Sequence, residues 1–500
     1  MYFMKSTSLL FLISMILVAL DHVRGYATDD QDKCVPNNYP CRTGPDCCEL
    51  ICCGGICCDP SLSEGKSLNS TKGKQRWTLQ TSGGTLATYT ADGKGLFVAD
   101  YAGIMKRYDT TEIKGGQPKR VWTFAVPEGV NDCRQSIESN PVLDAAEENV
   151  FVGTDAWCSH GGMVFRIDAI TGETIWTFEQ GGTSMEIIVI SNDGSIVYAV
   201  AETVEGSGDA IVYALDFEKG TLLWEYRIKG GTGYANLAFF EDAIVNKNDV
   251  LLLSSMNLHV YGVDKNGKEV MDYSTEKVSR AKQSPYIAAT DDFVYVQARD
   301  SAFAGLELSC IKLIDNGISV VWSYYPESSE ELNKQKIQTA NGGTDNAHAG
   351  PAVVDDNNIF AYFNENELVA LDNTGKRRWS RVAYRLSATP LISDKSLIFT
   401  SSVDYNSVTA DVYGLTFDGG EIFHQTVSKS DYYLESKCFA LADGPMAYCV
   451  FGTDFHAYDA VSGEEIWHTD SATASICLDD KRKGATFCNS GYHECWDYAP

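Results

Sequence analysis

A closed, all-β propeller of eight or nine four-stranded blades is the fold this chain predicts, and three observations predict it. One line of sequence recurs: VFRIDAITGETIWTF from Val164, VYALDFEKGTLLWEY from Val212, LVALDNTGKRRWS from Leu368 and FHAYDAVSGEEIWHT from Phe455. Between its copies lie short apolar strands split by turn residues, as in Ile187–Ile190, Ser191–Gly194 and Ile196–Val200. The array opens on a strand with no blade before it, QRWTLQ, and stops after Asp497, where such a strand should follow. Pairing the chain's beginning with its end closes the ring and removes two exposed sheet edges.

The chain has 500 residues, 44% of them hydrophobic, enough for a large core. Its formal net charge of -28, from 40 basic and 68 acidic residues, disfavours nucleic acid or an anionic membrane as a partner. At the N-terminus Lys5 precedes the apolar run Leu9–Leu20 and a small-residue exit at Gly25, so residues 1–25 read as a cleaved signal peptide. The run is short for a membrane span, and nothing later in the chain qualifies. Sixteen cysteines agree with secretion, because disulfides persist in oxidising compartments. Asn69-Ser-Thr is a glycosylation sequon.

Residues 26–58 form a cysteine-rich module. Cys34, Cys41, Cys47, Cys48, Cys52, Cys53, Cys57 and Cys58 crowd a segment too short to fold on a buried core, so cross-links must hold it. A secreted chain with no interleaved His favours disulfides over thiolate metal ligation. The order CVPNNYPC, PDCCELICC, GGICC resembles inhibitor-cystine-knot mini-proteins, departing at its adjacent final pair. Eight cysteines allow 105 pairings, and the spacing does not choose among them. Residues 59–74, polar and Gly-containing, read as a linker.

From Gln75 to the end the period is about 45–55 residues. Trp strands fall at Trp77, Trp122, Trp176, Trp224, Trp322, Trp379 and Trp467, with weak copies near Met271 and Phe423. Turn aspartates are read at Asp109, Asp168, Asp216, Asp264, Asp315, Asp372, Asp418, Asp459 and Asp497. Asp can bond its own backbone and Gly supplies positive φ, while Trp offers a large ring and one N–H for docking a neighbouring blade. A feature present in nearly every blade marks architecture rather than one site. The A-x-D-x-x-T-G-x-x-x-W line resembles the PQQ-like β-propeller repeat over nearly all of residues 75–500.

Function is sought where the repeat breaks. Asn131–Pro141 and Thr154–Gly162 are loops of the two types that share one face of a propeller, and each carries a cysteine. A Cys133–Cys158 disulfide would staple them and gather Arg134, Asp155, Trp157 and His160 into a small-ligand site. The long break Tyr325–Gly350 sets Asp345, Asn346 and His348 among three glycines. Further disulfide candidates are Cys438 with Cys449 and Cys477 with Cys488, across hairpins, leaving Cys310 and Cys495 over. His259, His424, His456, His468 and His493 lie on expected strands and read as packed or surface residues.

The expected function is a secreted scaffold that binds an extracellular protein, glycan or small molecule on its loop face. The resemblance implies an alternative, a quinoprotein-type oxidoreductase holding PQQ and calcium in the funnel. Against it, every adjacent cysteine pair lies outside the ring, no metal ligands can be assigned, and no C-x-x-C-H haem motif is present.

Overall fold

The computed structural model describes residues 51–53, 56–58 and most of 71–500. Outside the description lie 1–50, 54–55, 59–70 and short loops, the longest being 129–133, 156–160, 204–208, 229–239, 300–304, 327–350, 383–389, 402–408, 429–435, 440–445 and 470–474. For 475–499 the backbone alone is described. The chain divides into two units, Met1–Ser70 and Thr71–Pro500. In the first, Ile51–Cys53 pairs antiparallel with Ile56–Cys58, with Cys52 opposite Cys57. The signal peptide, the sequon at Asn69 and the remaining cysteine module lie outside the described residues.

The second unit is all-β. Among the described residues it forms eight four-stranded antiparallel sheets and one sheet of five strands, nine blades in chain order. The two weak repeats are complete: Met271 sits in the fourth strand Glu269–Ser274 and Phe423 in Glu421–Ser428. Blade 1 runs from Thr85 to Ala125 and blade 2 from Val142 to Gln180. Blade 9 is Ser475–Asp479, Gly484–Asn489 and Glu494–Ala499, completed by Lys74–Gln80 from the other end of the chain. Trp77 thereby lies opposite Asp497, the closure the sequence predicts.

Strand composition explains the layering. Second and third strands are mostly apolar, and GLFVAD (Gly95–Asp100) and AIVYALD (Ala210–Asp216) are buried on both faces, whereas IMKRYDTTEIK (Ile104–Lys114) is charged and partly exposed. Fourth strands alternate, as in LLWEYRI (Leu222–Ile228), so their outer face meets solvent. First strands of several successive blades contact one another, as Thr183–Ile190 does Phe240–Val245.

Seams between blades repeat one device. The indole N–H of a fourth-strand Trp donates to the carbonyl just after the turn-opening residue of the next blade. Trp122 reaches Ala169 at 3.0 Å, Trp176 reaches Phe217 at 2.9 Å, and Trp224, Trp322 and Trp379 reach Lys265, Asn373 and Phe417. The turn glycine lies flat on the same ring: a Cβ on Gly220 would stand 2.5 Å from Trp176 Cδ2. In blade 7 the turn opens at Thr416, not at the expected Asp418, whose carboxylate instead pairs with Arg378. Blade 9 has no covalent turn there, because its third strand ends the chain. Thr71–Lys72 adds to blade 8 as a parallel fifth strand, and Gly73 supplies the missing glycine against Trp467.

Candidate functional site

The two loops chosen from the sequence do meet. Ile137 and Thr154 form an isolated antiparallel bridge, and a buried polar frame surrounds it. Thr154 Oγ1 donates to Gln135 Oε1 at 3.0 Å, Gln135 Nε2 to the Gly161 carbonyl at 2.9 Å, and Gly153 N–H to Ser139 Oγ at 2.6 Å. Gln135, Ser139 and Thr154 are each at most 1% exposed, so every bond here replaces one lost to water. The frame fixes the backbone that presents Asp155, itself buried and bonded to Ser136 Oγ.

Of the expected cluster, Arg134 and Asp155 are described, whereas Cys133, Trp157, Cys158 and His160 lie outside the described residues. Arg134 turns away from the site. Its Nε donates to the Val126 carbonyl at 2.9 Å and its Nη2 pairs with Glu128 at 2.6 Å. The second region, Asp345, Asn346 and His348, also lies outside the described residues.

What gathers beside Asp155 is a set of carboxyls that sequence reasoning passed over. Ser136 Oγ stands 3.0 Å from Glu138 Oε1 as well as against Asp155, and its single proton serves one carboxylate at a time. Burial, followed by the nearby Asp155 charge, holds the Glu138 carboxyl above its usual range. Glu186 stands on the first strand of blade 3, Thr183–Ile190, at a β-bulge between Met185 and Ile187. The extra residue re-aims its side chain away from the apolar ladder. Desolvation first, then the charges of Glu202 and Glu138, push the Glu186 carboxyl up to about 8. Glu186 is nonetheless an exposed residue of that strand. Burial likewise raises Glu202, whose carboxylate accepts the hydrogen bond from Glu186. The signal that could have located this group is Glu186 itself, one acid inside TSMEIIVI. Four carboxyls, from blades 2 and 3 and the segment joining blades 1 and 2, are thus gathered together; near neutral pH the Glu186–Glu202 pair keeps a proton between them. Such a patch attracts cations and hydrogen-bond donors.

PQQ with calcium needs oxygen donors converging on one point. Among the described residues no three His, Cys, Asp or Glu side chains are so arranged. The described donor set does not fit that cofactor. The histidines are packed as expected: His259 pairs with Asp272 and stacks on Tyr261, His424 stacks on Tyr413, and His456 and His468 both face Glu465. His493 is outside the described residues.

The cysteines of the propeller sort by register. Cys449 is disulfide-bonded and Cys438 stands directly opposite it. Cys477 faces Thr486, while Cys488 faces Cys495, so the last hairpins set Cys488 beside Cys495 rather than beside Cys477. A diagonal pair in a sheet is about 7–8 Å apart, beyond disulfide reach. Cys310 is a buried thiol among Tyr295, Leu308 and Ile359.

Among the described residues no helix is long and apolar enough to cross a membrane. No curated protein matches the chain. Among solved structures it is similar to BamB from Moraxella catarrhalis, at 13% identity over 86% of this chain and 98% of that one, TM-score 0.46. It is also similar to quinohemoprotein alcohol dehydrogenase from Comamonas testosteroni, at 10% identity over 86% and 76%, TM-score 0.46. The Dos1 propeller gives 12% identity over 85% and 95%, TM-score 0.47. A family model described as outer membrane protein assembly factor BamB matches residues 319–476, and over that stretch the blades are built of BamB-like, PQQ-like repeats.

Proposed function

We propose that this chain is a secreted binding scaffold whose loop face over blades 1 to 3 receives a basic segment of an extracellular protein. The observation that carries the reading is the convergence of Glu138, Asp155, Glu186 and Glu202 on a frame whose own polar groups are already bonded. The frame holds these carboxyls close together, and their field adds to a chain of net charge -28. The apolar N-terminal run and the sixteen cysteines support the compartment.

The test is calorimetric titration with an oligolysine peptide at low salt, wild type against the double variant Glu138→Gln, Asp155→Asn. Removing the Glu138 carboxylate and the buried Asp155 charge behind it should weaken binding roughly fivefold, with the wild-type affinity falling as salt rises. Equal affinities for the two proteins would sink the assignment of the face. Titration with PQQ and calcium, followed by absorbance and dye reduction, separates scaffold from oxidoreductase: the scaffold gives neither binding nor turnover.

A further inference from the structure

The seam between blade 9 and blade 1 lacks the bond that Trp122, Trp176, Trp224, Trp322 and Trp379 make at theirs. Trp77 is 2% exposed, yet its indole N–H has no hydrogen-bond partner among the described residues. No glycine lies on its ring either: a Cβ on Gly115 or Gly116 of the facing turn would meet nothing within 4 Å. The cause is legible in blade 1, where Asp109 and Trp122 lie thirteen positions apart, against eight from Asp168 to Trp176. The added residues lengthen the third and fourth strands, Ile104–Lys114 and Gln117–Ala125, into a hairpin that overhangs Lys74–Gln80 of blade 9. The Thr78 N–H donates to the Gly116 carbonyl at 3.0 Å and ties the tip down.

Beneath this hairpin lies an open pocket of about 900 Å³ whose wall carries Lys106, Lys114, Lys119 and Arg120 against a single acid, Glu112. Lys119 pairs with Glu112 at 3.0 Å. Lys106, Lys114 and Arg120 make no ion pair among the described residues. Elsewhere several cations are compensated, as Arg166 is by Glu218, Arg378 by Asp418, Arg381 by Glu421 and Lys265 by Asp193 and Asp249. Lys106 also stands three residues before Asp109, which lies within the strand and not in the turn expected from the sequence, at the repeat position where other blades place Phe165, Tyr213 or Tyr261. A chain with 28 more acids than bases has here concentrated three unneutralised cations in one concavity.

We propose that this pocket binds a small ligand bearing an oxyanion, a phosphate or sulfate monoester. Arg120 and the two lysines supply charge-assisted donors to its oxygens. The ligand is small because a long polyanion leaving the pocket would meet the acidic remainder of the chain, whereas one or two anionic groups stay within a Debye length of the cations.

Calorimetry on the full chain tests this with two matched probes, glucose 6-phosphate and glucose 6-sulfate. At least one binds, and the tighter probe assigns the phosphate or the sulfate source. Lys106→Gln and Arg120→Gln each weaken it about tenfold, the loss of one charged hydrogen bond. Glu112→Gln frees Lys119 and tightens binding, an effect that damage to the fold cannot mimic. Lys265→Gln, a paired lysine of blade 4, leaves affinity unchanged. Absence of binding by both probes at millimolar concentration overturns the proposal, as does unaltered affinity in the Lys106 and Arg120 variants or weaker binding in Glu112→Gln.

Discussion

Gly220→Ala and Gly194→Ala form a matched pair that tests how the blades are joined. Both glycines lie in turns of blade 3 with left-handed backbone, at φ of 67° and 70°. An alanine in that region costs about 1–2 kcal/mol at either site. The surroundings differ. A Cβ at Gly194 meets nothing within 4 Å, whereas at Gly220 it meets Trp176 at 2.5, 2.6 and 2.8 Å. Trp176 is 8% exposed and tethered to the Phe217 carbonyl, so the ring cannot step aside freely. Overpacking of this kind adds about 1–3 kcal/mol. For a propeller of about 430 residues the unfolding entropy is roughly 0.9 kcal/mol/K, so that excess appears as about 1–3 °C. Scanning calorimetry should place the Gly220→Ala midpoint below that of Gly194→Ala by that margin. Equal midpoints would refute the claim that this glycine is retained for the tryptophan rather than for its backbone angle alone.

Other outcomes follow from the same geometry. Trp122→Phe loses the bond to the Ala169 carbonyl and strands a buried acceptor, whereas Trp77→Phe removes an indole N–H without a partner among the described residues. The first variant should be the less stable by about 1–3 kcal/mol in urea unfolding. The Glu186 carboxyl is held at about 8 in the folded chain, above its unfolded value, so the native state retains the proton between those limits and stability falls as pH rises through that window. Glu186→Gln should flatten the fall of the thermal midpoint between pH 5 and 8; an unchanged slope would remove Glu186 from the group. Non-reducing peptide mapping should recover Cys438 linked to Cys449 and Cys488 linked to Cys495, because directly opposed strand residues lie about 4.5–5.5 Å apart. Recovery of a Cys477–Cys488 peptide would contradict the register.

The sequence by itself determined the repeat, the strand order within a blade and the closure of the ring, since each is written in a local period of apolar, turn and Trp positions. It even placed the weak units at Met271 and Phe423, because a blade must stack on its neighbours whatever residue fills the Trp position. It also chose correctly that the loops around Ile137 and Thr154 meet. Tertiary structure alone decided which groups then face each other. Arg134 was expected beside Asp155 and instead bonds Glu128 and the Val126 carbonyl, a choice that depends on where the preceding strand ends. Glu138 and Glu186 lie 48 positions apart, and no period links them; a bulge and the juxtaposition of blades bring their charges together. Gly73 covers Trp467 only because the chain's two ends share a seam. Periodicity reports what one residue repeats along the chain, whereas a site is made of what different blades fail to repeat, and only packing brings those exceptions into contact.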